Sequence, residues 1–341
     1  MESSGQGSSP GDRFSQIIRK ICFSLPSKII SIFADRPLKK PTKMERQLIA
    51  DLRKTINQLT NSPDSSDISN TNREDFAGIW SNFSSELRRV ILDEDPRRFL
   101  YWNIIRRTMF VNSPFCYFEL RHLQRKADWS SRWRPVLRED SFGQPAPFLF
   151  YPFSSGNLIH HAYHLALFEE KTAINISDLP CIVEFGAGYG SLCRLIHKLG
   201  YLGTYVCFDL PEFSALQRFF LRGIGLPVDG VGSAARIILL HQVSDLTTSL
   251  RNVPDKSLFI ATWSLSETPL EYRKEIMELI DSFNYYLIAY ADTFSGINNI
   301  VFFESWRRSF GGKITWFDWP IKHLPGNRYL IGVKSSVHKG Y

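Results

Sequence analysis

Three glycines at alternating positions, Gly186, Gly188 and Gly190, follow a short apolar run that begins after Pro180. Glycine adopts positive φ angles without steric cost and carries no side chain that would block a ligand. A helix that begins at such a turn also presents backbone N–H groups that have no partner within the helix. Because the turn lies between a hydrophobic strand and an amphipathic helix, it predicts a site for a nucleotide-like cofactor.

Two acidic residues stand beside this turn, Glu184 before it and Asp209 at the end of the next predicted strand. A carboxylate in the second position can accept hydrogen bonds from both hydroxyls of a ribose, although Asp209 can also cap the helix that begins near Pro211. A dinucleotide site favours the pattern G-x-G-x-x-G, whose third glycine is here Ser191, and Glu184 suits an ammonium group better than a phosphate. The pattern therefore favours S-adenosyl-L-methionine (SAM) over a dinucleotide, with predicted contacts from Glu184, Gly186, Gly188, Gly190, Asp209 and Leu210.

Side chains that can take a proton lie close to the predicted strand ends. Transfer of a methyl group to a hydroxyl requires an aligned acceptor oxygen and a group that removes its proton. We predict three candidate bases: Glu267 after the fourth strand, His323 between the last two strands and His161 on the helix before the first strand. Alternatively, Glu267 is an acid placed at a helix start by the helix dipole, and His323 is an exposed loop residue.

The same regions hold side chains suited to a small polar acceptor. Asn157, Tyr163 and Asp292 are predicted to hold its hydroxyl groups. His160 and His164 share one helix face at the i, i+4 spacing of a helical metal pair. No third ligand is evident in the sequence, so we predict no metal site.

The elements that must position these residues alternate between strands and helices after Pro180. Such a β-α-β-α order predicts a parallel sheet with helices on both faces, and ligands of such sheets bind at the carboxyl ends of the strands. The predicted strands lie at 181–185, 204–208, 236–240, 257–262 and 285–290, and a terminal strand pair is predicted at about 313–317 and 328–333. Helices are predicted at about 190–199, from 211 onward, and at 270–283.

The remainder of the chain divides by composition into two further regions. Residues 1–75 are predicted to form a flexible basic arm and linker, residues 76–170 a helical lid or accessory region, and residues 171–341 the cofactor-binding domain. Within the arm, 13–33 contains two short amphipathic pieces with basic residues between them. These pieces can make peripheral contact with an anionic membrane surface; alternatively, they form a mobile arm or a helix packed on the body.

Charge and cysteine content narrow the range of partners and compartments. The net charge is +7 over 341 residues, but 1–46 alone carries +5, from nine Lys/Arg and four Asp/Glu. The rest of the chain therefore has a net charge close to zero and is a poor surface for binding nucleic acid, so no nucleic-acid partner is predicted. Five widely spaced cysteines without a C-x-x-C pattern favour a reducing compartment, and no apolar run is long enough to cross a bilayer. These features favour a cytoplasmic protein.

Several stretches together resemble the class I SAM-dependent methyltransferases, and more narrowly the sugar O-methyltransferase family of bacterial surface-polysaccharide loci. The resemblance covers about 145–334, and the glycine turn is its most specific part. One departure is His323-Leu324-Pro325-Gly326-Asn327, where the family pattern leads us to expect His-Pro-Gly-Asn. The matching stretches are Ser155-Gly156-Asn157, His161-Ala162-Tyr163-His164, Val183 to Gly190, Phe208 to Glu212, Ser264-Leu265-Ser266-Glu267, Leu324 to Asn327 and Tyr329-Leu330-Ile331.

The resemblance implies a Rossmann-like class I methyltransferase sheet, mostly parallel with an antiparallel C-terminal strand, preceded by a helical accessory region. It implies SAM as the cofactor and a sugar or glycan hydroxyl as the methyl acceptor. Two alternatives stay open: a methyltransferase for another small-molecule hydroxyl or amine, and a methyltransferase-like scaffold without catalysis. An NAD-dependent oxidoreductase is disfavoured by Ser191 in place of the third glycine. The oligomeric state is left unspecified.

Overall fold

The computed structural model describes residues 37–61, 74–109, 113–228, 236–251 and 253–334. The amphipathic segment 13–33, with its predicted membrane contact, lies outside these residues. Among the helices of the described ranges, none is both long enough and apolar enough to cross a membrane.

Seven strands form one sheet in the order β3-β2-β1-β4-β5-β9-β8. Strands β1 to β5 run parallel to one another, whereas β9 is antiparallel to both β5 and β8. The predicted fold class, a mostly parallel Rossmann-like sheet with an antiparallel C-terminal strand, is therefore confirmed. The strands are β1 (Cys181–Phe185), β2 (Thr204–Phe208), β3 (Arg236–Leu240), β4 (Leu258–Thr262), β5 (Tyr285–Ala291), β8 (Ile314–Pro320) and β9 (Asn327–Lys334), and β6 (Thr293–Phe294) pairs with β7 (Ile297–Asn298) in a separate hairpin.

The central strands are mostly apolar because both faces of a parallel sheet are covered by helices. All five residues of β1 are buried, and Glu184 in this strand lies opposite Cys207 of β2 and Ile260 of β4. The predicted bounds of β1, β2 and β3 are those of the structure, and the other predicted elements differ from it by one to three residues at their ends.

Ten helices in the described ranges surround the sheet or extend before it. The helix that precedes β1 begins after Ser155, whose hydroxyl accepts a hydrogen bond from the backbone N–H of Leu158, a capping contact that satisfies one unpaired N–H of the first turn. The helices are α1 (Lys43–Asn61), α2 (Glu74–Asp93), α3 (Asn103–Thr108), α4 (Cys116–Gln124), α5 (Gly156–Thr172), α6 (Ser191–Lys198), α7 (Pro211–Gly223), α8 (Val243–Leu250), α9 (Leu270–Ile280) and α10 (Asn299–Ser309), together with short helical turns that include Pro96–Tyr101, Trp129–Trp133, Arg134–Val136, Ile176–Asp178 and Ser264–Glu267.

The structure corrects the prediction of a flexible arm over 1–75, because residues 43–61 of that segment form α1. Leu48, Leu52 and Ile56 are buried in the main hydrophobic core, and α1 packs against α7. Apolar residues four apart lie on one helix face, so the sequence carried a helical signal that its polar neighbours obscured. The boundaries of the accessory region and of the cofactor-binding domain stay predictions.

Candidate cofactor and acceptor site

The glycine turn lies at the carboxyl ends of β1 and β2, with φ of +73° at Gly186, +56° at Gly188 and +92° at Gly190. L-residues with a side chain rarely adopt these angles. A Cβ on Gly186 would collide with Cβ of Ser264, and a Cβ on Gly188 would come within 2.9 Å of Cε of Met109. Glycine is therefore required both by the backbone conformation and by the side chains that close over the turn.

Asp209 holds this turn in place. Its Oδ2 accepts a hydrogen bond of 2.6 Å from the Gly188 N–H, and its Oδ1 accepts one of 2.7 Å from the Leu210 N–H. Leu210 is the N-cap of α7, and no side chain caps that helix, so the alternative of Asp209 as a helix cap is not observed. Burial raises the pKa of Asp209 to about 7. The carboxylate is thus fixed beside the turn, and its contact with the ribose of a cofactor stays a prediction.

Glu184 is buried beneath the turn rather than exposed in it. Its Oε2 accepts a hydrogen bond of 2.6 Å from the Tyr205 hydroxyl, and burial raises the pKa of Glu184 to about 8. The observed partner of this carboxylate is therefore a side chain of β2, and its direct contact with a cofactor stays a prediction.

We expect the free energy of unfolding of Glu184→Gln to increase relative to that of the wild type as the pH rises. The folded-state pKa of Glu184 lies above its ordinary value of 4.5, so the protonated carboxyl favours folding most below about pH 4.5, and this contribution is lost as the pH rises towards about 8. Glutamine does not titrate and can still accept the Tyr205 hydrogen bond. Urea unfolding should show the difference in unfolding free energy moving in favour of the variant by about 3–4 kcal/mol between about pH 5 and about pH 8.

Glu275→Gln, an exposed substitution on α9, provides the matched control and should follow the wild type at every pH. Parallel loss of stability by the wild type and Glu184→Gln would contradict the prediction.

The accessory helices reach over the cofactor side of the sheet. Arg88 of α2 forms an ion pair with Glu212, Nε to Oε1 at 2.5 Å, three residues after Asp209. Trp80 of the same helix donates its indole N–H to the backbone oxygen of Glu267 at 3.3 Å. Helix α2 thus contacts the segment after β2 and the segment after β4, which is the position expected for a lid; its movement stays a prediction.

Glu267 ends a short helical turn, Ser264–Glu267, that directly follows β4. The buried guanidinium of Arg273 fixes this turn by donating to the backbone oxygens of Ser266 at 2.7 Å and Thr268 at 2.9 Å. Burial raises the pKa of Glu267 to about 7, a value suited to a base at neutral pH. No hydrogen bond to its carboxylate is formed by another residue of the described ranges.

Histidines of α5 and of the β8–β9 loop converge on a carboxylate that sequence reasoning missed. Oε1 of Glu119, on α4, lies 2.8 Å from Nδ1 of His160 and 2.9 Å from Nε2 of His323. Glu119 is fully buried. Its position among the buried residues Cys116, Leu120 and Leu123 was the available signal, since a charged residue on the apolar face of a helix needs a partner.

Two further histidines of α5 have different surroundings. Nδ1 of His164 lies 2.6 Å from the Tyr329 hydroxyl. His161 has a buried Nδ1 that no residue of the described ranges hydrogen-bonds, and burial lowers the pKa of His161 to about 3. His161 therefore stays neutral and is a weaker proton acceptor than an ordinary imidazole.

Trp263 connects segments that are distant in the sequence. It follows β4 with φ of +66°, an uncommon angle for a bulky residue that often marks a functional position. Its indole N–H donates to Oδ1 of Asn327 at 2.6 Å, and its ring stacks on that of His160 at 5.3 Å. The stretches around His160, Trp263 and Asn327 therefore meet at the ends of β4 and β5.

The predicted acceptor contacts lie around this region in different environments. Asn157 is buried and donates to the Tyr189 hydroxyl at 2.9 Å, so in the structure it supports the glycine turn. The Tyr163 ring lies 5.4 Å from that of His323. Asp292 follows β5, and its Oδ1 is buried without a hydrogen bond from the described residues. Substrate contact by these three residues stays a prediction.

Within the described ranges, no group of three or more His, Cys, Asp or Glu side chains is arranged to hold a metal ion. The pair His160 and His164 contacts Glu119 and Tyr329 instead.

No protein-family model and no curated protein matches the sequence. Solved structures with a similar fold include the methyltransferase domain of bacterial CtHen1, with 10% identity and a TM-score of 0.37 over 51% of this chain and 97% of that one. The glycopeptide N-methyltransferase MtfA has 11% identity and a TM-score of 0.35 over 51% of this chain and 90% of that one. The mitomycin 7-O-methyltransferase MmcR has 13% identity and a TM-score of 0.33 over 64% of this chain and 67% of that one. The fold assignment rests on the strand order and directions described above.

Proposed function

We propose that this protein is a SAM-dependent O-methyltransferase that acts on a sugar hydroxyl. The observation that carries the cofactor assignment is the positive-φ turn at Gly186, Gly188 and Gly190, held by the Asp209 carboxylate at the carboxyl ends of β1 and β2. Ligands of doubly wound sheets bind at this edge.

The residues of the turn fit the parts of SAM. Asp209 would accept hydrogen bonds from the ribose hydroxyls with the lone pairs that its contacts to Gly188 and Leu210 leave available. The turn and the first N–H groups of α6 would face the amino-acid part. When bound, SAM supplies an activated methyl group on a sulfonium centre.

The acceptor side has the composition expected for a polar ring-shaped substrate. The rings of Trp263, Tyr163 and Phe115 are partly exposed. Those of Tyr163 and Phe115 lie beside His323, and Trp263 precedes the helical turn that ends at Glu267. Aromatic rings offer apolar faces, and a few placed polar groups orient the ligand. A sugar presents both an apolar face and several hydroxyls, and the sequence resemblance to sugar O-methyltransferases supports the same class.

Two measurements test the proposal. Isothermal titration calorimetry should show saturable binding of SAM, and radiolabelled methyl transfer should be found with sugars or glycans but not with amines. Absence of SAM binding would refute the cofactor assignment. Binding without transfer to a panel of sugars, phenols and amines would favour the non-catalytic scaffold, and transfer to an amine alone would overturn the O-methyltransferase assignment.

A further inference from the structure

Glu119 is a buried carboxylate without an Arg or Lys ion-pair partner in the described ranges. Its exposure is 0%, and its contacts come from two imidazoles that are 41 and 204 residues away in the chain. A buried charge is costly unless it is paired and hydrogen-bonded. Burial alone would raise the pKa of Glu119, but the contacts with His160 and His323 bring it below its ordinary value.

An ionised carboxylate only accepts hydrogen bonds, so the ring nitrogen that faces it must carry a proton. His160 then bears its proton on Nδ1, and His323 bears its proton on Nε2. In a neutral imidazole the second nitrogen is an acceptor, which is Nδ1 in His323. The two histidines differ in access, because the side chain of His323 is 15% exposed and that of His160 only 4%.

Neighbouring rings hold His323 in this orientation. The rings of Phe115 and Tyr163 lie 5.8 Å and 5.4 Å from the His323 ring. The Tyr163 ring also lies 6.4 Å from that of Tyr329, on the strand that pairs with β5. His323 is thus held by Glu119 of α4, by Phe115 directly before that helix and by Tyr163 of α5, at the end of the sheet where the acceptor is expected.

We propose that Glu119 is a positioning residue that holds His323 with its Nδ1 directed to the acceptor hydroxyl. This inference rests on the proposed function. As the C–O bond forms, the O–H proton passes to Nδ1 of His323, and the electron pair of the broken S–C bond stays on sulfur. The imidazolium that results is stabilised by the Glu119 carboxylate and then releases its proton to water. A carboxylate that orients and stabilises a histidine base is a recurrent arrangement in enzymes.

The first test is Glu119→Gln, which keeps the size of the side chain and removes its charge. We expect kcat to fall about 100-fold, with KM and the SAM affinity within about twofold of the wild type. The acidic limb of the kcat–pH profile should move to lower pH, because the substitution removes the negative charge that stabilises the imidazolium form of the base. The titratable groups that face His323 are Glu119, Tyr163 and His164, and Glu119 in turn interacts with His160, Tyr329 and Cys116.

Glu139→Gln is the matched control. Glu139 lies in the same accessory region and is hydrogen-bonded by the Ser155 hydroxyl at 2.5 Å, without a histidine, so kcat and its pH profile should not change. An unchanged kcat and pH profile in Glu119→Gln, with SAM binding intact, would overturn the proposal.

A second measurement does not depend on activity. Nitrogen-15 NMR of the wild-type protein, with the His323 signal assigned from His323→Asn, should show a neutral ring protonated on Nε2. A ring protonated on Nδ1 would contradict the proposal even if methyl transfer is observed. If the ring is protonated on Nε2 but SAM does not bind, the proposed function fails while the Glu119–His323 contact stands.

Discussion

Asp209→Ala is expected to weaken SAM binding about 100-fold or more. Each hydrogen bond to a charged group contributes about 1.5–3 kcal/mol, and about 2.7 kcal/mol corresponds to a hundredfold change in affinity. The substitution removes the predicted ribose contacts together with the bonds that hold Gly188 and Leu210. Calorimetry with SAM and with S-adenosylhomocysteine measures the effect directly.

Asp245→Ala is the control for this experiment, because Asp245 is an exposed acid on α8. Its affinity for SAM should stay within about twofold of the wild type. Circular dichroism should show that Asp209→Ala keeps its secondary structure. A folded Asp209→Ala protein that binds SAM as tightly as the wild type would exclude this carboxylate from the cofactor site.

The pH dependence of SAM binding provides a check on the same residue. Since burial raises the pKa of Asp209 to about 7 and an ionised carboxylate is a stronger acceptor for the ribose hydroxyls than a protonated one, the wild-type affinity should decrease as the pH falls from about 8 to about 6. Asp209→Asn, which does not titrate, should lose this dependence. A wild-type affinity that increases on acidification would contradict the assigned role.

Gly186→Ala is the second substitution with a large expected effect. The new Cβ would collide with Cβ of Ser264, and the φ of +73° is unfavourable for alanine. We expect a loss of about 2–4 kcal/mol in unfolding free energy and SAM binding at least about tenfold weaker, because relief of the collision displaces the turn. Urea unfolding and calorimetry measure the two effects.

Gly200→Ala is the control that separates the cost of a positive φ from the cost of a collision between the new Cβ and a neighbouring atom. Gly200 has a φ of +94° but no atom within 4 Å of a Cβ built on it, so alanine should cost only about 1 kcal/mol there and leave SAM binding unchanged. Adding Ser264→Gly to Gly186→Ala should recover part of the loss, since it removes the colliding atom. Equal effects of Gly186→Ala and Gly200→Ala would show that strain alone explains the requirement for glycine.

The sequence by itself determined the features that depend on local physics. The apolar runs of β1, β2 and β3 gave the bounds observed in the structure, because buried parallel strands are continuous in hydrophobicity. The glycine turn was equally readable, since positive φ is a property of single residues. Helix α1 was the exception in this class, because its three buried residues were outnumbered by polar ones.

Only the tertiary structure decided which distant side chains meet. Whether Asp209 caps α7 or holds the glycine turn could not be read from its position, because both roles suit an acid after a strand. Asn157 was predicted to face the acceptor, yet it donates to Tyr189. Glu119 contacts His323 across 204 residues, and no periodicity or spacing encodes such a contact. Local conformation follows from neighbouring residues, whereas the ionisation and orientation of a buried side chain depend on the elements that the fold packs against it.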